Sequence, residues 1–113
     1  SVDAAYWVHI GEKEHLRWPM PQPEDELLNA FARLHAVGDD SLGEGTRFVG
    51  MFRSCGILVP VWDLPIGFGA DQCEAVAPEY LTKLNAALDN RTPLTNEERK
   101  ARAGLQSRQV TLK

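Results

Sequence analysis

Much of what normally marks a function is missing from this chain of 113 residues. No apolar run approaches the ~20 residues that a membrane-spanning helix needs. The opening SVDAAYWVHI has neither the basic start nor the long apolar stretch of a secretory signal. There is no GxxxxGK(S/T) or GxGxxG loop to cradle phosphates, and no GxSxG or HExxH signature. Histidine is scarce: His9, His15 and His35 never fall at HxH or HxxxH spacing, so a metal site lacks its ligands. Cysteine is scarcer still. Cys55 and Cys73 form no CxxC pair, and without a secretion signal both are expected to be reduced, structurally minor thiols. Ser41, Ser54 and Ser107 have no base beside them in the sequence. These absences lean away from an enzyme and imply no metal and no cofactor.

What is present is ordinary for a globular protein: 43% hydrophobic and 25% charged residues. Residues 1–113 read as one domain, long enough to bury roughly two-thirds of the unfolded surface in one core. The chain opens on Ser1 and strand-like pattern begins by about Ala4; it is therefore expected to be a fragment of a longer protein. The net charge of −4 is unevenly spread. Residues 1–94 carry 7 basic and 14 acidic groups, and residues 95–113 carry 5 basic and 2 acidic. An acidic body repels nucleic acid and anionic lipid. The basic tail reads as a solvated helix face, with nucleic-acid contact through Arg99, Lys100, Arg102 and Arg108 as the weaker alternative. A cytoplasmic location is expected.

The stretch Gly43 to Pro65, GEGTRFVGMFRSCGILVPVWDLP, organises the rest. FVGMF and ILVPVW flank a short Gly-containing break and read as a hairpin. Neither run alternates cleanly, so the strands should be apolar on both faces, with one face meeting a covering segment or a partner. Upstream, Ala4–Ile10 and His15–Met20 are strand candidates around a Gly11–Glu14 turn, and Pro19 should make the second an edge strand or end it early. Leu27, Leu28, Phe31 and Leu34 at helical spacing predict a helix from Pro23 to Val37. Asp71 with Glu74 resembles a capping box, but Pro78 predicts a short turn there and a main helix beginning at Pro78. Thr95 with Glu98 predicts a second capped helix, stopped at Gly104, and Gln109–Leu112 a last strand. The expected class is α+β: an antiparallel sheet with helices mainly on one face, built from two ββα units. The uncovered face is expected to carry Trp7, His9 and one side of the hairpin.

Candidate site residues fall in two groups. Arg47, Arg53, Trp62 and Asp63 flank or end the central strands, and Trp7 is on the first. Trp and Arg are the types enriched at binding hot spots, although a core Trp with a cross-strand Arg–Asp pair would serve structure alone. Asp39, Asp40 and Glu44 sit in a Gly-rich loop that carboxylates could make into a cation or ligand site, without EF-hand spacing. His9 and His15 would be cross-strand neighbours around a tight turn.

SLGEGTRFVGMFRSCGILVPVWDLP and PLTNEERKARAGLQSRQVTLK together resemble the C-terminal part of an uncharacterised actinobacterial family, a domain of unknown function. Its members are often labelled as relatives of the preprotein translocase ATPase SecA, or as topoisomerases. The resemblance implies no catalytic residue. The expected function is a non-catalytic protein-interaction domain, engaging a protein partner or a second copy; the family labels alone imply a role accessory to protein translocation. The alternative is a small-molecule or metal-binding domain, or an enzyme, built on the loop Asp39–Arg47.

Overall fold

The computed structural model describes the backbone of residues 6–10, 13–108 and 110–112, and the side chains of residues 14–108. The elements in order are β1 (Tyr6–Ile10), β2 (Lys13–Arg17), α1 (Glu24–Ala36), β3 (Arg47–Ser54), β4 (Ile57–Leu64), α2 (Gly69–Asp89), α3 (Asn96–Ser107) and β5 (Val110–Leu112). The strands form one sheet in the order β1-β2-β4-β3-β5. β1–β2, β2–β4 and β4–β3 pair antiparallel, and the closing strand β5 adds to β3 in parallel. The α+β class and the two ββα units are as the pattern predicts. The strand order is what a half-turn about the sheet normal, between β2 and β4, would produce from one unit to the other.

All three helices contribute to the same core. Leu27, Leu28, Phe31, Leu34, Ala77, Tyr80, Leu84 and Leu105 join Leu16, Trp18, Met20, Phe48, Met51, Leu58, Trp62 and Leu64 in one buried cluster. Alternation explains most of β4: Leu58, Pro60, Trp62 and Leu64 are buried on the helix side, while Ile57, Val61 and Asp63 take the other and keep some exposure; Val59, on that second side, is buried as well. β3 departs from alternation because of a bulge. Phe48 faces Trp62 and Gly50 faces Val61, so Val49 is an extra residue on that strand. Gly50 meets the bend with φ +136°, and the inserted residue returns Met51 to the core side, three positions after Phe48.

The central turn is tighter than the sequence pattern suggests. Ser54 pairs with Ile57, so the loop is Cys55-Gly56 alone, with φ of 53° and 80°. Positive φ at both residues is the type I′ arrangement that suits a twisted hairpin. A cysteine is strained there, whereas asparagine is not. Cys55→Asn should therefore raise stability by about 1 kcal/mol, read as a higher urea midpoint. An unchanged midpoint would show that the turn carries no strain at this residue.

β2 is not an edge strand, since it pairs with both β1 and β4, but it does end early at Pro19: its ladder stops at Arg17, and the chain continues along β4 through Trp18 N–H to Pro60 O and Met20 N–H to Leu58 O, both 3.0 Å. Two helix boundaries differ from expectation. α2 begins at Gly69 and runs through Pro78. Pro78 and Glu74 are both exposed, so the Glu74 carbonyl that loses its partner faces water and the cost stays small. Asp71 is not the cap. The α2 N-terminus is met by a carboxylate from across the fold, with Gly67 and Gly69 N–H donating to buried Glu14 at 2.5 and 2.8 Å. α3 has the expected Thr95–Glu98 capping box but continues past Gly104 to Ser107. Fully buried Leu105 holds that last turn down, outweighing the ~1 kcal/mol helix penalty of glycine.

α3 is fastened to α1 by arginines. Arg33 on α1 donates to Thr92 Oγ1 at 3.4 Å, to the Thr92 carbonyl, and to Glu98 at 3.3 Å. Arg102 on α3 donates to Asp25 at 2.7 Å and Asn29 at 2.5 Å. No described helix is long and apolar enough to cross a membrane.

Candidate interaction surface on the open sheet face

The helices leave one side of the sheet uncovered over its middle strands. His15 and Arg17 of β2, Val61 and Asp63 of β4, and Val49 and Phe52 of β3 line a shallow depression there. The register builds it: His15 stands opposite Asp63, and Asp63 opposite Arg47. Asp63 is thereby held from both sides, by His15 Nδ1 at 2.9 Å and by Arg47 at 3.1 Å. The result is a charged row across three strands. Such exposed pairs contribute at most ~1 kcal/mol each, so the row fixes side-chain positions more than it stabilises the fold. Beside it the surface is apolar: Val49 and Ile57 are 36% and 41% exposed. The bulge that returns Met51 to the core also brings Phe52 onto the face that Val49 shares with Arg47.

The residues singled out by sequence separate. Arg47, 73% exposed at its side chain, and Asp63 form the expected cross-strand pair on the open face. Arg53 pairs with Glu24 at the start of α1, away from Arg47. Trp62 is 0% exposed. Its ring meets Trp18, Phe31, Phe48 and Tyr80 at centroid distances of 6.3, 6.1, 5.3 and 5.2 Å, and its indole N–H donates to the Asp40 carbonyl at 2.8 Å. It is a core residue. Trp7 pairs in register with Leu16, a core position, and His9 with Glu14; both register positions therefore fall on the helix-covered side, opposite to expectation. Their side chains lie outside the described residues. His15 pairs with Val8, not with His9, so the two histidines are not cross-strand neighbours.

The acidic loop does not converge. Asp40 accepts from His35 at 2.6 Å, and Asp39 lies 4.0 Å from Lys83. A cleft over this loop is lined by Ser41, Leu42, Gly43, Val76, Glu79, Tyr80 and Lys83, and Asp40, Glu44 and Arg47 are not part of it. Among the described residues no three His, Cys, Asp or Glu side chains are placed to hold a metal ion. The loop is tied down internally: Leu42 N–H donates to Thr46 Oγ1, which donates to the Gly43 carbonyl, each at 2.8 Å. Burial, with Asp40 and Asp39 nearby, raises the Tyr80 phenol well above its usual range. Burial, then Glu14 and Glu74, push the Cys73 thiol up to about 11, so it is protonated at neutral pH and a poor nucleophile.

The model of a family of unknown function, DUF5926, matches residues 1–113. The chain belongs to this family. No curated protein and no solved structure matches the chain. Membership of DUF5926 assigns no residue a role, so the site in this DUF5926 chain rests on geometry alone. Arg17, Val49, Phe52 and Val61 were not singled out by sequence, and His15 only as a neighbour of His9. The alternation of β2 and β4 places 15, 17, 61 and 63 on one face once the register is known; alternation from Arg47 adds Val49, and only the bulge adds Phe52.

Proposed function

We propose that the chain is a non-catalytic protein-interaction domain that binds its partner through the open sheet face. The observation that carries this reading is the apolar depression over Val49, Phe52 and Val61, on the side of the sheet that the helices leave uncovered. Apolar surface of this kind, rimmed by polar groups, is favourable to cover. The resemblance to actinobacterial proteins labelled as SecA relatives offers a setting: residues 1–113 act as the C-terminal domain of a longer cytoplasmic protein, accessory to preprotein translocation.

The test uses the full chain as bait in host lysate, beside a Val49→Glu bait and a Glu74→Lys bait altered on exposed α2. A specific partner kept by the wild type and Glu74→Lys but lost by Val49→Glu is the expected result. Equal capture by all three baits would sink the proposal, as would no specific capture by a folded wild type.

A further inference from the structure

We infer that the open face takes a short protein segment bearing an apolar side chain next to a carboxylate; this rests on the interaction reading above and adds the chemistry of the partner. Of the charged groups lining the depression, Asp63 is already shared by His15 and Arg47. Arg17 is not. It is half-buried against the same lining, and its guanidinium has no side-chain partner among the described residues. A partly desolvated guanidinium offers five N–H donors in a planar fork that fits a carboxylate. Immediately beside it, Val61, Phe52 and Val49 offer a floor for an aliphatic or aromatic side chain.

Charge narrows the occupant further. His15 apart, the described side chains of the face carry Arg17 and Arg47 against Asp63, while the chain as a whole is −4. A second copy docking face to face would set this cationic excess against itself. A nucleic acid would meet the arginines but also the repulsion of an acidic body. Among the described residues of the depression it would find one ring, Phe52, where sheet-face readers of single strands use several for stacking. An acidic–apolar peptide satisfies the lone guanidinium and covers the floor at once.

The experiment pans a random-peptide display library on the wild-type chain, on Arg17→Glu and on Val49→Glu, with thermal melts confirming that each folds. Arg17→Gln replaces the charge reversal if Arg17→Glu does not fold. The wild type should enrich sequences with Leu, Ile, Phe or Trp beside Asp or Glu. Arg17→Glu should weaken those peptides about tenfold or more and favour Lys- or Arg-bearing ones. Peptides indifferent to Arg17→Glu would overturn the acidic chemistry and leave the interaction reading standing. No enrichment on the wild type, or the same peptides on Val49→Glu, would overturn both. Tight binding of poly(U) RNA to the wild type, lost in Arg17→Glu, would replace the peptide with a nucleic acid and overturn the inference.

Discussion

Trp62→Ala should lower stability by about 3–5 kcal/mol, enough to bring the melting temperature down by more than about 10 °C. The indole is fully buried and joins parts of the fold that are distant in sequence: Trp18 after β2, Phe31 on α1, Phe48 on β3 and Tyr80 on α2. Removing it leaves a cavity among four rings and frees the Asp40 carbonyl that the indole N–H satisfies. Trp62→Phe keeps a ring but not that donor, so it should cost much less, about 1–2 kcal/mol. Chemical denaturation followed by far-ultraviolet circular dichroism separates the two. A loss under about 1 kcal/mol for the alanine variant would mean that the neighbouring rings close over the gap.

Arg33→Met should be nearly as damaging, about 3 kcal/mol, for an electrostatic reason. Arg33 and Glu98 have side chains only 9% and 14% exposed. Taking away the cation leaves a carboxylate with little water and strands the Thr92 carbonyl that Arg33 also serves. Because the harm lies in the orphaned charge, Arg33→Met/Glu98→Met should be less unstable than the sum of the two single changes, by more than about 1 kcal/mol in a double-mutant cycle. Some of the Glu98 cost will remain in the double variant, since Glu98 also caps Thr95 N–H at 2.8 Å. Strict additivity would show that solvent screens the pair.

These two residues also show where sequence reasoning stops. Trp62 ends an apolar strand, and a hot-spot role and a core role predict the same residue type there; only the register, which sets it beside Leu16 and Phe48, decides for the core. Arg33 looks like a helix-surface cation because its partners lie 59 and 65 positions away. The same holds for Glu14, whose carboxylate replaces the local cap that Asp71 was expected to provide. Local signals were reliable where the chemistry is local: the Thr95–Glu98 capping box and the apolar stripe of α1 both stand as read. Pro78 and Gly104 misled because solvent exposure in one case and a buried neighbour in the other make a break unnecessary. In the candidate site, Arg47 with Asp63 was legible as a cross-strand pair. The depression was not, because it needs the bulge that switches Phe52 to the open face and the meeting of β2 with β4.

That meeting has a consequence for how the protein is made. The seam between the two ββα units is the centre of the sheet, where β2 lies against β4. As the chain leaves the ribosome, the inner edge of β2 emerges first and remains open while residues 18–64 are still being synthesised. At ~5–20 residues per second that interval lasts on the order of seconds. An open strand edge is a template for mispairing with other nascent chains, and this one runs on past Arg17, because Trp18 and Met20 N–H also await partners on β4.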